Sequence, residues 1–465
     1  MAQFLAVPPE LLPIIFDFVL RPQHLSSLCL VNRTFNRFAT PFLYRRLFIF
    51  AWYTDVKSRL FLLFRTLAES THLARHVQRL AIQSFPKALS SAGFSDLLDL
   101  CARGIRNCVN LRSCAWTRDG SLHSTVLESL RDCPQLQELE INGNSSEYDP
   151  AILTQFDRLN KISLIMPSAQ VLGVLPSWIS MTGVTLKSLN IICKASTLVT
   201  DGFLERLSPH LASLQHLSIV GCPKVTQVGI AVVASANQNG LVGINLEGLS
   251  QAFSMSAFKN SIMHTQAFRQ LRSVTLTAHI QVPLSDWSRD VDELLSSSPL
   301  ESFSVYSTTT STGGRIPDDF WRSLVHTHGR RLKCFSIHRM PIGVPALELI
   351  CSQCPLLEQL FVVVGQRELD VAARAFALAR NLRTLHIKLP LAMSESMIAP
   401  SVLMQNILSI VSLCSPTIAF IGCNTRVWQI QRTVQEDENG EKYTVPTLAA
   451  QENPDIPEQF LVIRA

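Results

Sequence analysis

Charge and long apolar runs are both scarce in this sequence. Charged residues make up 17% of the 465 residues, and 41 basic against 36 acidic side chains leave a net charge of +5. This excess is too weak to indicate a nucleic-acid surface by itself. No window approaches the run of about 18 apolar residues that a membrane-spanning helix requires. We therefore expect neither a nucleic-acid partner nor a membrane span.

The signals of a secreted protein are also missing. Met1 to Val7 lack the basic residues of a signal peptide, and Glu10 interrupts the apolar stretch behind them. The 12 cysteines are spread from Cys29 to Cys423 and do not form a dense disulfide framework. Several lie in apolar stretches, where a thiol behaves as a small hydrophobic group. We expect reduced, buried cysteines and a cytoplasmic and/or nuclear location.

Motifs of catalysis and metal binding are absent as well. The sequence has no glycine-rich phosphate loop, nucleophile-elbow serine or His-Glu-x-x-His motif. Cys351 and Cys354 form a Cys-x-x-Cys pair without the second half of a structural zinc site. His326 and His328 have no carboxylate or cysteine at ligand spacing. We expect no enzyme activity, no metal and no cofactor.

Apolar residues, in contrast, make up 47% of the chain, enough for a large core. Near the N-terminus they fall into three stretches that predict short helices. Pro13 removes a backbone donor, so the first regular helix should begin near Leu12. Three short helices bury little surface by themselves. This segment either docks on the rest of the chain or presents an apolar face to another protein.

These residues resemble the F-box in order and spacing. The resemblance covers residues 5–48 and lies in VPPELL at 7–12, LSSLCLVNR at 25–33 and PFLY at 41–44. It implies a helical module that binds the Skp-type adaptor of a cullin–RING ubiquitin ligase. The residues that it places on or just under the adaptor-binding face are Pro8, Leu11, Leu12, Ile15, Leu28, Leu30 and Val31. The alternative is a helical cap that uses the same residues to close the array behind it.

After residue 70 the sequence repeats the pattern L-x-x-L-x-L, with other apolar residues at some positions. The clear copies begin at Leu136, Leu159, Leu186, Leu214, Leu241, Leu271, Leu300, Leu332, Leu357 and Leu382, and weaker copies at Val77 and Leu111. The spacing varies from 23 residues (Leu136 to Leu159) to 32 residues (Leu300 to Leu332). Each copy predicts a short strand with one buried face, followed by a helical stretch such as 124–131 or 201–207.

A strand and a helix cannot bury their apolar faces alone, whereas stacked copies can. The repeats resemble an irregular leucine-rich repeat array, which implies an α/β repeat fold: a solenoid with a concave parallel sheet. The family's usual Asn or Cys after the strand is present at Asn144 and Cys222 but missing from most copies. We therefore expect uneven repeats.

The sequence predicts four regions: an F-box-like module at 5–48, linking helices and a first irregular repeat at 49–110, the solenoid at 111–417, and a strand and hairpin cap at 418–465. Ile418–Ile421 predicts a final strand, and Asn439-Gly440 predicts a hairpin turn that is followed by a returning strand at 443–448. Gln459–Ile463 predicts another strand.

The polar positions that alternate with the buried strand residues should line the concave face. The client-binding residues predicted there are Glu140, Asn142, Asn190, Ser218, Asn245, Thr275, Tyr306, His338, Phe361 and His386. Phe361 and Val363 should expose apolar surface suited to an interface, unless a loop or the C-terminal cap covers Phe361.

Together these features predict a non-catalytic, substrate-recruiting subunit of a cullin–RING ubiquitin ligase. It would bind a Skp-type adaptor, and through it a cullin, with the N-terminal module. An unidentified client protein would bind the repeat surface. The alternative is a leucine-rich repeat scaffold without ligase coupling.

Overall fold

The computed structural model describes residues 8–19, 21–51, 53, 55–86, 91–237, 239–279, 282–308, 314–390, 400–436 and 441–450. The chain divides into two compact units, Met1–Ser218 and Ile219–Ala465.

The first unit opens with a helical head. Its helices are α1 (Leu12–Asp17), α2 (Pro22–Cys29) and α3 (Arg33–Arg45). As predicted, α1 begins at Leu12, because Pro13 lies in the first turn, where its missing amide costs no hydrogen bond. The side chain of Asn32 caps α3 by accepting a hydrogen bond from the amide of Phe35 at 2.8 Å.

Parallel strands and helices alternate through the rest of the first unit. Its strands are β1 (Arg46–Ile49), β2 (Arg79–Ile82), β3 (Ser113–Trp116), β4 (Glu138–Asn142), β5 (Lys161–Ile165) and β6 (Ser188–Ile192), and β7 (His216–Val220) contains the unit boundary. Its further helices are α4 (Val56–Glu69), α5 (Thr71–Ala74), α6 (Ser91–Asn107), α7 (Ser124–Arg131), α8 (Ala169–Thr182) and α9 (Asp201–Leu207). Strands β1 to β6 pair in chain order, and every pair is parallel.

The second unit continues the same alternation. Its strands are β8 (Gly243–Glu247), β9 (Ser273–Ala278), β10 (Ser302–Ser307), β11 (Cys334–Pro341), β12 (Gln359–Val363), β13 (Thr384–Lys388), β14 (Phe420–Cys423), β15 (Arg426–Glu436) and β16 (Lys442–Ala450). Its helices are α10 (Gln227–Ala236), α11 (Met255–Ile262), α12 (Leu284–Leu295), α13 (Asp318–His328), α14 (Val344–Gln353), α15 (Leu369–Ala377) and α16 (Pro400–Leu413). Strands β8 to β14 are parallel, whereas β14, β15 and β16 pair in antiparallel fashion.

The repeat pattern supplies the core of both units. In the copy at β4, the leading Leu136 and the strand residues Leu139 and Ile141 are buried at 5%, 1% and 0% exposure. The predicted helices at 124–131 and 201–207 coincide with α7 and α9. The predicted fold class, a short helical head followed by an α/β repeat with parallel strands, is confirmed.

The chain end forms the predicted hairpin, since Arg426–Glu436 and Lys442–Ala450 pair as adjacent antiparallel strands. The final parallel strand begins at Phe420, two residues after the predicted start at Ile418. The predicted turn residues Asn439-Gly440 and the predicted strand at 459–463 lie outside the described residues. The predicted domain limits stay a prediction.

One of the two asparagines at the end of β4 is exposed and the other is buried. Asn144 is exposed, and its Nδ2 donates to Asp119 Oδ1 at 2.9 Å. Asn142 is the buried amide: its Nδ2 donates to the carbonyl of Thr117 at 3.3 Å, and its Oδ1 accepts from the amide of Asn144 at 3.0 Å. Cys222 is buried as expected, with its thiol near the carbonyl of Val220 at 3.4 Å. The side chain of the last residue of β4 therefore satisfies both of these backbone groups.

Candidate functional site

The head has a small apolar core of its own. It is formed by Leu12, Phe16, Leu25 and Ala39, at 3%, 2%, 6% and 0% exposure. The ring of Phe16 meets that of Phe35 edge-on at 5.4 Å, which joins α1 to α3. Because Leu12 and Phe16 are four residues apart, they fix which side of α1 faces inward.

The opposite side of α1 is apolar and exposed. Leu11, Ile14, Ile15 and Phe18 are 46%, 59%, 39% and 80% exposed. Their spacing of three and four residues places them along one side of the helical segment. At the end of α2, Leu30 and Val31 are 84% and 58% exposed. Pro8, which precedes the first helical turn, is exposed as well.

The structure separates the seven adaptor-binding residues predicted from sequence into two groups. Those at the surface are Pro8, Leu11, Ile15, Leu30 and Val31. Leu12 is buried in the head core, and Leu28 is half-buried against it. Leu12 thus lies beneath the surface and Leu28 is partly accessible, and adaptor binding by all seven stays a prediction.

Sequence reasoning missed Ile14 and Phe18. From Leu11 to Val19 most residues are apolar, so the pattern alone does not say which side of the helix is left outside. A helix that is apolar on all sides is typical of one that is covered on both faces. In the described residues only the inner side of α1 is covered, which makes its outer side a candidate docking surface.

The head connects directly to the sheet of its own unit. Helix α3 ends at Arg45, and β1 begins at the next residue, Arg46. The Arg45 guanidinium also donates to Asp17 at the end of α1, with Nη2 to Oδ1 at 2.7 Å. The position of α1 is therefore tied to the helix that leads directly into the sheet.

The predicted client-binding residues of the first unit are partly accessible. Glu140, Asn190 and Ser218 are half-buried on their strands, as expected for the outward side of the sheet. Asn142 is buried at 7% exposure although its place on β4 predicts an outward side chain, and client binding by these residues stays a prediction. Its Nδ2 donates a hydrogen bond to the carbonyl of Thr117, the residue after β3.

The predicted residues of the second unit include two that are buried. Asn245, Thr275, Tyr306 and His338 are half-buried. Phe361 and His386 are each 5% exposed.

The prediction that Phe361 and Val363 expose apolar surface is therefore wrong, since Val363 is 4% exposed. The ring centroids of His338 and His386 lie 4.1 Å and 4.5 Å from that of Phe361. These two flanking rings cover much of the aromatic side chain.

His386 is held in its neutral form. Burial lowers its pKa from 6.5 to about 4; Lys388 adds to this effect, and the hydrogen bond to Asn424 opposes it. Its Nε2 lies 3.0 Å from the Asn424 carbonyl oxygen. Because a carbonyl only accepts, the proton of the neutral ring is assigned to Nε2.

The N-terminal geometry agrees with a family comparison. The F-box-like family model matches residues 4–50. The chain carries an F-box-like domain. The domain spans the described head helices and β1, and the leucine-rich repeats follow it.

Two solved structures resemble the chain at low identity. One is a chain from the yeast Rad7 and Elc1 complex, with 12% identity, 81% of this chain and 96% of that chain covered, and a TM-score of 0.43. The other is the leucine-rich repeat-containing protein LegL7 from Legionella pneumophila, with 11% identity, 65% and 97% coverage, and a TM-score of 0.42. Comparison with the curated proteins finds no match.

Two kinds of site are absent from the described residues. None of their helices combines the length and apolarity needed to cross a membrane. They also contain no cluster of three or more His, Cys, Asp or Glu side chains placed to hold a metal ion.

Proposed function

We propose that this F-box-like protein is a non-catalytic, substrate-recruiting subunit of a cullin–RING ubiquitin ligase. The head binds a Skp-type adaptor, which connects it to a cullin, and the repeat surface binds a client protein. The observation that carries the proposal is the outer side of α1, where Leu11, Ile14, Ile15 and Phe18 are exposed although the head core is complete.

This apolar surface indicates a partner. Single exposed apolar residues are normal on proteins, but a set that follows one side of a helix indicates an interaction site. Aromatic residues are enriched at protein interfaces, and Phe18 is 80% exposed at the end of α1. The F-box-like match supports an adaptor as the partner.

The proposed mechanism is positional. The head fixes the protein to the ligase, and the repeats hold a client near the ubiquitin-conjugating enzyme. Holding two reactants in one complex raises their effective concentration and replaces a bimolecular encounter by an intramolecular one. The chain then needs no catalytic side chain of its own.

Calorimetric titration of the purified full chain with a Skp-type adaptor tests the adaptor role. Wild-type protein should bind, and the double variant Leu11→Asp with Ile15→Asp should bind at least about 100-fold more weakly, because two charges would be buried against an apolar partner. Leu12 is a poor choice for this test, since it belongs to the head core.

Leu62→Asp is the matched control. Leu62 lies on α4, outside the head helices, and is 55% exposed, close to the 46% of Leu11. It should bind the adaptor like wild type. Equal loss in both variants, or no binding by wild-type protein, would contradict the proposal.

The second candidate is a repeat scaffold whose head only caps the sheet. The direct passage from α3 into β1 favours this alternative, because a cap must be fixed to the first strand. A wild-type chain that folds but does not bind the adaptor would support the scaffold.

A further inference from the structure

The outward side chains of β1, β2 and β3 form two rows on the sheet of the first unit. The register of these parallel strands gives a first row that consists of Arg46, Arg79 and Ser113. The second row, two residues further along each strand, consists of Phe48, Ala81 and Ala115. The residues that alternate with them on β2 and β3 are at most 1% exposed, so the two rows face away from the core.

The second row is apolar and low between two larger side chains. Ala81 and Ala115 are half-buried and therefore partly accessible. They lie between Phe48 on β1 and Glu140 on β4, which are three strand spacings, or about 14 Å, apart. Because alanine extends little above a sheet, the two residues leave a shallow apolar strip. From β4 to β6 the same row is polar and consists of Glu140, Ser163 and Asn190.

The ring at the β1 end of the strip is held by two other rings. The ring centroid of Phe48 lies 4.7 Å from that of Phe50 and 6.3 Å from that of Tyr53. Phe48 is half-buried, so part of its ring stays accessible. An aromatic side chain that is already held in place loses little freedom when a partner binds. Phe48 is therefore suited to contact an apolar side chain that lies on the strip.

Arg79 supplies a positive charge beside the strip. It is exposed, and within the described part of the chain its guanidinium takes part in no ion pair or hydrogen bond. Arg46 lies directly opposite on β1 and has an interaction of its own. Like charges directly opposite each other on neighbouring strands are unfavourable, so an anion at Arg79 would reduce their repulsion.

The other charges of the two rows are further from Arg79. Two strands away, the first row continues with Glu138 on β4 and then Lys161 on β5. These two residues are direct neighbours of opposite charge and largely offset each other. Glu140 lies at the β4 end of the strip, so no cation of that strand competes with Arg79 for an anion. An anionic group is therefore favoured at the β2 side.

We propose that Phe48, Arg79, Ala81 and Ala115, together the β1–β3 surface, bind a short client segment in which an apolar side chain lies next to an anionic group. The apolar side chain packs on the two alanines beside the Phe48 ring, and the anion pairs with Arg79. An apolar contact beside an arginine is a frequent combination among the residues that dominate interface energies. The inference rests on the proposed function, in which the repeats hold the client.

Peptide selection tests the β1–β3 surface. A phage-displayed library of random dodecapeptides is selected on the purified full chain, after removal of the peptides that also bind the variant Ala115→Gln. This variant places a longer polar side chain on the strip, at an outward position. The selected peptides should share an apolar residue within two positions of Asp or Glu. A selection that yields no peptide, or peptides without an acidic residue, would overturn the inference.

Fluorescence anisotropy of one selected peptide localises the binding. Arg79→Gln should bind it at least about tenfold more weakly than wild type, because the anion loses its partner. Arg65→Gln is the matched control, since Arg65 is exposed on α4 and likewise has no ion pair in the described residues. Ser188→Gln is the control for Ala115→Gln, because Ser188 is a small, half-buried, outward residue on β6. Equal losses in a variant and its control would contradict the proposed site.

Charge reversal tests direct contact with Arg79. Arg79→Glu should bind the selected peptide with Lys in place of its acidic residue at least about tenfold tighter than wild type binds that peptide. No such recovery would contradict the pairing of the anion with Arg79.

A carboxylate and a phosphate present the same chemistry to a guanidinium. Tighter binding of the peptide with phosphoserine in place of its acidic residue would assign a phosphorylated client, and weaker binding a carboxylate.

Titration of the same proteins with the Skp-type adaptor separates the two proposals. Adaptor binding without a selected peptide contradicts only the β1–β3 surface. Peptide binding that depends on Arg79, without adaptor binding, contradicts only the ligase role.

Discussion

The backbone amide of Gln78 donates a hydrogen bond to the carbonyl of Arg45 at 3.0 Å. This bond joins the last residue of α3 to the chain segment that enters β2. The following residue, Arg46, pairs with Arg79 in the first strand pair. The head therefore continues into the sheet without a linker, and part of its stability comes from the repeats.

The isolated peptide 1–50 should consequently be largely unfolded. The core of the head contains only a few fully buried side chains, and the peptide loses Gln78 and β2 as partners of Arg45 and β1. Far-UV circular dichroism should show little helix and no cooperative melting, with the full chain as the folded reference. A helical peptide with a sharp melting transition would contradict this dependence.

Two phenylalanines of the α1 region should give opposite results on truncation. Phe16 is 2% exposed in the head core, so Phe16→Ala should lower the free energy of unfolding of the head by about 3–5 kcal/mol. Phe18 is 80% exposed, so Phe18→Ala should change stability by less than about 0.5 kcal/mol. Hydrogen exchange of the head amides measures this difference.

In adaptor titrations Phe18→Ala should weaken binding by at least about fivefold, since an aromatic anchor is lost from the interface. Unchanged affinity would remove Phe18 from the proposed docking surface. A fall in stability comparable with that of Phe16→Ala would mean that the outer side of α1 is covered within the chain.

The repeat fold could be predicted from the sequence because the same apolar pattern recurs along the chain. Positions such as Leu136, Leu139 and Ile141 recur along the chain, and each copy repeats the same strand with the same buried face. Strand β1 was not predicted. Arg46–Ile49 follows α3 directly, without the segment that separates helix from strand in the later repeats. The predicted head helix began at the correct residue because proline restricts where a helix can start.

The burial of single side chains on the candidate surfaces could not be predicted in the same way. Phe361 alternates with buried residues as an outward side chain should, but His338 and His386 lie against its ring. The bulge that carries His338 changes the register of β11, and no periodic pattern marks a bulge in advance. Asn142 likewise follows the outward pattern, yet it is buried and donates to the carbonyl of Thr117.

Cysteine labelling tests the packing of the repeats. All twelve cysteines are thiols, and among them Cys29 and Cys334 are half-buried while the others are buried. Burial raises the pKa of Cys133 and of Cys354 to about 12, which leaves almost no reactive thiolate at neutral pH. Brief treatment of the native protein with iodoacetamide should modify Cys29 and Cys334 first, and all twelve should react in denaturant. Rapid labelling of Cys133 in the native protein would contradict the packing of α7 and β4.

His386 should make the second unit less stable in mild acid. Burial lowers its pKa from 6.5 to about 4 in the folded protein, so the unfolded chain takes up the proton first as the pH falls. The stability linked to neutral His386 is complete above about pH 6.5, decreases as the pH falls toward 4, and is lost below both values. The difference corresponds to a contribution on the order of 3 kcal/mol.

His386→Gln keeps an N–H donor for the Asn424 carbonyl but does not titrate in this range. Urea denaturation between pH 7 and pH 4.5 should therefore show a smaller decrease in the free energy of unfolding for the variant than for wild type. Other groups contribute equally to both proteins, so the difference between the two pH profiles reports His386 alone. Parallel profiles would mean that the ring takes up its proton in the folded protein as readily as in the unfolded chain, and the assignment of a neutral, buried His386 beside Phe361 would be wrong.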